Sequence, residues 1–238
     1  REAHVTKVLD KRLPILEDSI TVLDAQGNVK RSVSLLDCMH NSAYRAYLAK
    51  CNRRGGDIFH TNTVFVLDGR VAHRAPVYKA GNVLTSILRL NLIAVVDLER
   101  ERMVWAFRGP FRSQHDPKIL DNGRMLIFDN KGRRKASSVL EIDPVTRKVL
   151  WAYRGNDEHP FYSRTCGSAE RLPNDNTLIV ESDNGRAFEV THDKEIVWEF
   201  YNPNRTGKDD EYIATLFDLV RIPPDFPVDW AQQVPPAD

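Results

Sequence analysis

Apolar and polar positions alternate along this chain in short runs, and the runs recur. Ile93–Asp97 (IAVVD) is followed, after a polar turn, by Met103–Gly109 (MVWAFRG). Val139–Asp143 (VLEID) is followed by Lys148–Gly155 (KVLWAYRG), and Ala187–Thr191 (AFEVT) by Glu195–Phe200 (EIVWEF). A period near two, carried by valine, isoleucine and aromatic residues, predicts strands. The intervening turns, such as Asp143–Arg147 and Thr191–Lys194, are short and polar and predict hairpins. Trp105, Trp151 and Trp198 mark the second strand of each pair, 46 and 47 residues apart. A fainter copy opens the chain at Ser19–Asp24, turns at 25–28 and continues from Val29 to Leu35.

Each of these hairpins has another upstream. Pro117–Phe128 reads as strand, Asp-Asn-Gly turn, strand, and Ala169–Val180 repeats it. Thr61–Gly69 begins a third copy, with a longer connection before Gly81–Ser86. Two hairpins per period of about fifty residues make a four-stranded antiparallel sheet, and such sheets repeated radially make a β-propeller. A helical solenoid lacks this periodicity, and a sandwich does not require tryptophan at near-constant spacing. The expected fold is therefore all-β, with blades over 57–109, 112–155 and 163–202. The segment 212–222 reads as the first strand of a further blade. It can join the chain start to close a ring of four; alternatively, further blades precede Arg1. The whole of 1–238 reads as one propeller domain, N-terminally incomplete. A short helical insertion is expected near 36–52, and 223–238 reads as a proline-rich tail.

Charge and cysteine content narrow the function classes. Lys plus Arg number 34 and Asp plus Glu 33, a net charge of +1. That excludes the basic excess of a general nucleic-acid binder, but a small anionic substrate needs only one or two local cations. No apolar run approaches the roughly 20 residues that span a membrane. Cys38, Cys51 and Cys166 are odd in number and show no CxxC pairing, so neither a fully paired disulfide framework nor a zinc-thiolate site is expected. A continuous helix would hold Cys38 and Cys51 about 20 Å apart.

Propellers gather residues from the starts of inner strands around a central channel. His60 (in GDIFHTNT) and His115 (in SQHDP) stand at the starts of successive inner strands, and Arg164-Thr-Cys-Gly-Ser168 fills that place in the third blade. Arg133 follows Phe128-Asp-Asn-Lys-Gly132 in the turn leaving the second strand of the His115 blade. Imidazole is a nucleophile or a general acid and base near neutral pH. Guanidinium clamps a tetrahedral oxyanion through paired donors. His60, His115 and Arg133 are thus the candidate catalytic residues, with Asn62, Asp116 and Arg164 as candidate substrate contacts. No metal and no cofactor is expected. The structural alternatives are turn-forming histidines and a solvated basic loop over 131–135.

The segments Asp57–Val64, Gln114–Arg133 and Gly167–Ile179 resemble the bacterial arylsulfotransferase family over most of residues 55–205. The resemblance implies a six-bladed propeller. It also implies transfer of a sulfuryl group from a phenolic sulfate to another phenol through a sulfated histidine, without a nucleotide donor. His60 matches the family's His-x-Asn histidine, His115 its Gln-His histidine, and Arg133 the arginine after Phe-Asp-Asn. The partners implied are an aryl sulfate and a phenol, and the implied compartment is periplasmic or extracellular. The family's sulfated histidine falls in a later blade, where this chain has Tyr162–Cys166. Either His60 or His115 then takes that role, or the chemistry differs, or the propeller binds an anionic or aromatic ligand or a protein partner without turnover.

Overall fold

The computed structural model describes residues 14–51, 56–133 and 135–228. Arg134, the Arg133 side chain and the end of the tail, 229–238, lie outside the described residues. The short strand β1 (Ile15–Leu16) pairs in parallel with β4 (Gly56–Asp57). Between them come the hairpin β2 (Ser19–Leu23) and β3 (Val29–Ser34), helix α1 (Leu35–His40), and a 3-10 turn over Arg45–Lys50. Ser34 caps α1, its hydroxyl accepting from the Asp37 N–H at 3.1 Å. Cys38 and Cys51 are both free thiols in the core beside these helices. Burial pushes their pKa values up to about 12 and about 11.

Three complete four-stranded antiparallel sheets follow, with strands in sequence order. The first holds β5 (Thr61–Val66), β6 (Val83–Ile87), β7 (Leu92–Asp97) and β8 (Arg102–Phe107). The second holds β9 (His115–Ile119), β10 (Met125–Arg133), β11 (Ala136–Asp143) and β12 (Lys148–Arg154). The third holds β13 (Ser168–Arg171), β14 (Thr177–Glu181), β15 (Arg186–Val190) and β16 (Ile196–Tyr201). The sheets are propeller blades, and side-chain alternation stacks them face to face. In β10, Met125 and Ile127 pack toward the first blade with Leu84, Ile93 and Val95. Leu126 and Phe128 pack toward the third blade with Ile179 and Phe188. Middle strands buried on both faces need continuous apolar runs, and MLIF and LIAVV supply them.

The recurrent tryptophan now has a geometry. Trp105, Trp151 and Trp198 stand opposite Val95, Glu141 and Glu189, and in each outer strand a bulge follows that pair. The chain that follows reaches back to this point. Arg171 Nη2 donates to Glu141 Oε2 at 2.7 Å, and its guanidinium lies 5.0 Å over the Trp151 ring. Arg221 repeats the clamp on Glu189 at 2.6 Å and Trp198 at 5.7 Å. At the first interface Ile119 and Trp105 both pack against the apolar cluster between the blades.

After the third blade, β17 (Arg205–Thr206) and β18 (Tyr212–Ile213) form a small hairpin. The stretch expected as a strand over 212–222 is strand only at Tyr212–Ile213, and it does not pair with the β2–β3 hairpin. It lies along the third blade instead, held by Arg221 and by Ser168 Oγ donating to Asp218 Oδ1 at 2.7 Å.

Candidate active site

The site stands at the end of the blades where the inner strands begin. Each inner strand closes on a leucine, Leu67, Leu120 or Leu172, whose N–H and C=O both bond across the next turn. Counted from these leucines, His60 matches Ser113, and Asn62 matches His115. His60 and Ser113 share a left-handed backbone, with φ of 51° and 53°. The two histidines therefore do not fill one repeated position, contrary to the reading from sequence. His60 stands two residues earlier on its strand.

His115 is held from three sides. Gln114, fully buried, welds the strand start to the first blade. Its Nε2 donates to Ser86 Oγ and the Leu92 carbonyl, while its own carbonyl accepts from Asn62 Nδ2 at 3.0 Å. The imidazole Nδ1 faces two acceptors, Asn130 Oδ1 at 2.7 Å and the Ser113 carbonyl at 3.1 Å. The amide of Asn130 can turn only one way, because its Nδ2 donates to the carbonyls of Ser163 and Cys166. Nδ1 must then carry the proton, leaving the Nε2 lone pair free. Burial lowers the His115 pKa; its bonds to Asn130 and Ser113 oppose that, and the charge of His60 adds to it.

His60 is half exposed and rests on Asp57. Its N–H donates to Asp57 Oδ1 at 2.7 Å, and its Nδ1 pairs with Asp57 Oδ2. Ile58 and Phe59, buried between them, pin this turn into the core. The carboxylate fixes the ring as in other carboxylate–imidazole pairs, again leaving Nε2 outward. Arg89 Nη2 stands 4.0 Å from the same carboxylate.

The Phe-Asp-Asn-Lys-Gly-Arg motif builds the neighbouring loop. Buried Asp129 accepts from the N–H of Arg112 at 2.8 Å and from Ser138 Oγ at 2.9 Å, and the Lys131 N–H donates to the Arg112 carbonyl at 3.0 Å. Burial raises its pKa against these donors. A Cβ on Gly132 would collide with that carboxylate, so glycine is required there. Arg133, the last residue of β10, pairs with Ala136 across the turn.

Asp116 faces the blade joint: its carboxylate accepts from the Ala169 N–H at 3.1 Å and pairs with Lys118 at 2.9 Å. Burial raises its pKa, with Lys118 pulling the other way. Arg164 is exposed, and its N–H donates to Asp183 at 2.7 Å. Asn62 thus positions the His115 strand, Asp116 joins blades, and Arg164 stands at the rim. Sequence reading had passed over Asp57, Asn130 and Asp129, although all three lie inside the quoted motifs.

Two anchored imidazoles thus stand where the inner strands of the first two blades begin, with a basic loop in the second blade. The profile of the arylsulfotransferase (ASST) family matches residues 8–203, and the chain belongs to that family. Among curated proteins no match is found. Solved structures with a similar fold include the Dos1 propeller, 11% identical, with 82% of this chain and 48% of that one covered at a TM-score of 0.49. The Cps50 (Swd1) β-propeller domain of Myceliophteria thermophila is 8% identical, with 79% and 55% covered at 0.48. The WD40 propeller domain of Doa1 is 15% identical, with 61% and 40% covered at 0.40. The chain thus spans about two fifths to half the length of these propellers.

Proposed function

We propose that this chain transfers a sulfuryl group from a phenolic sulfate ester to a phenol, with His115 as the residue that carries it. The observation behind this reading is the anchored Nδ1–H of His115, which leaves an unprotonated Nε2 at neutral pH. In the first half, the Nε2 lone pair forms a bond to sulfur as the sulfur–oxygen ester bond breaks. The departing phenoxide takes a proton from Nε2 of His60. The sulfo-imidazolium that results is a zwitterion, its positive ring balanced by the sulfonate, and the two acceptors on Nδ1–H stabilise the ring as its charge develops. In the second half the acceptor phenol gives its proton back to His60, its oxygen bonds to sulfur, and the nitrogen–sulfur bond breaks. The family resemblance assigns the paired donors for the sulfuryl oxygens to Arg133, and Arg164 is an exposed second cation.

The test is release of 4-nitrophenolate from 4-nitrophenyl sulfate with a phenol acceptor present. His115→Asn should lower kcat/KM by about a thousandfold, in the range expected for loss of a nucleophile or base. Peptide mass spectrometry after a donor-only incubation should find one sulfuryl group on His115. A folded protein that is thermally stabilised by the aryl sulfate without turning it over would instead be a binding propeller.

A further inference from the structure

An open cleft of about 630 Å³ lies between the first and second blades, with Ser113, whose carbonyl accepts from His115, in its wall. Arg89, Arg112, Lys131 and Lys135 line it, with Ser113, Asn91 and Tyr162, and no carboxylate is in its wall. The four cations come from three separate turns. Arg89 sits in the β6–β7 turn, Arg112 in the link between blades, and Lys131 and Lys135 on either side of the β10–β11 turn. Arg112, Lys131 and Lys135 form no ion pair among the described residues, and Arg89 has only the Asp57 carboxylate at 4.0 Å. Three cationic side chains gathered without an ion-pair partner repel one another, and a fold tolerates this most readily where an anion is to be bound.

The cleft is also built rather than incidental. The Asp129 carboxylate accepts from the Arg112 N–H at 2.8 Å, and the Arg112 carbonyl accepts from the Lys131 N–H at 3.0 Å, so one buried group and one backbone bond set the start of two cationic side chains. Asn91 Oδ1 accepts from the Ser113 N–H at 2.8 Å and ties the first blade's turn to the same wall. The wall touches both imidazole supports. The Ser113 carbonyl accepts from His115, and the Arg89 N–H donates to the Phe59 carbonyl, next to His60, at 3.1 Å.

We propose that this cleft is a second anion subsite, and that the preferred donor is an aryl sulfate carrying a further fixed negative group, such as a carboxylate, on its ring. The sulfate ester faces His115 while the second anion lies among Arg112, Lys131 and Lys135. This rests on the sulfuryl-transfer reading for its meaning, but binding is measured without turnover. The probes are 4-sulfobenzoate, a dianion, and benzenesulfonate, its monoanionic counterpart; neither has an ester bond to break. By titration calorimetry at low salt, the parent protein should bind 4-sulfobenzoate at least about tenfold more tightly than benzenesulfonate. Arg112→Gln with Lys135→Gln, and separately Lys131→Gln, should reduce that ratio to within about twofold and leave benzenesulfonate binding unchanged. All these side chains are exposed, so thermal melts should coincide with the parent's. Equal binding of the two probes by the parent, or a ratio untouched by the substitutions, overturns the subsite. His115→Asn separates the two claims. If it keeps the dianion preference while the parent shows no transfer, the subsite stands and the transferase reading fails.

Discussion

Burial of His115 ties its protonation to folding and, in the proposed reaction, to transfer. Its folded pKa lies below the ordinary 6.5, so the unfolded chain binds the proton more readily. The stability gained by keeping the ring neutral is present above about 6.5 and falls away as the pH drops through that value toward the folded pKa. Urea unfolding between pH 7.5 and 5.5 should therefore show a loss of stability that is smaller in His115→Asn. The acid limb of kcat/KM should fall below the usual histidine range. Asn130 is the positioning residue behind this. Asn130→Ala removes one Nδ1 acceptor and strips the Ser163 and Cys166 carbonyls of a donor, at a cost of about 1–3 kcal/mol for buried groups left unpaired. It should lower kcat more than it raises KM, and it should shift the acid limb, which a merely structural loss would not do. The histidines themselves were legible from motif and strand position. Their supports were not, because Asp57, Asn130 and Asp129 read in sequence as ordinary turn formers. The two-residue offset between His60 and His115 was equally hidden, since it depends on which leucine closes each strand. Arg89, Arg112, Lys131 and Lys135 meet only because three turns converge.

At the level of the strands, the tryptophan period was readable but its cause was not. The sequence displays Trp105, Trp151 and Trp198 as a repeat, whereas the clamp depends on arginines 20 and 23 residues later, Arg171 at the end of the next inner strand and Arg221 in the irregular segment after the third blade. Within one blade, hairpin turns and alternating runs dictate the local pairing, so the three blade spans agree with the observed sheets. The 212–222 stretch departs from expectation because side-chain contacts to Glu189, Trp198 and Ser168 hold it without a backbone ladder. The two clamps differ in burial. Glu141 is 3% exposed and Arg171 11%, whereas Arg221 is 46% exposed. Arg171→Ala leaves a buried carboxylate with Arg124 alone and should destabilise by about 3 kcal/mol. Arg221→Ala, screened by solvent, should cost only about 0.2–1 kcal/mol. Urea midpoints at constant slope measure both, and equal losses would remove the clamp as the reason for the repeat.

Across the whole molecule, protection is uneven and the site spans the gradient. The second blade is packed on both faces, with β10 and β11 buried between neighbours. The first blade leaves Val64 and Val66 of its inner strand more than 60% exposed, and the β2–β3 hairpin is mostly solvent-facing. The middle strands β6 and β7 are nonetheless buried on both faces, against the second blade on one and α1 with the β2–β3 hairpin on the other, so the looser part of this blade is its inner strand β5. His115 thus stands on the firmest blade and His60 at the start of this looser strand, while Asn62 donating to the Gln114 carbonyl bridges them. Amide exchange should be slowest over Met125–Ile142, faster over Thr61–Val66, and fastest over Ser19–Ser34. An aryl sulfate held between the two imidazoles couples the blades, so it should slow exchange in β5 and leave β10, already at the protein's limit, unchanged. Uniform slowing of all three blades would mean that the ligand stabilises the fold globally and does not bridge this joint.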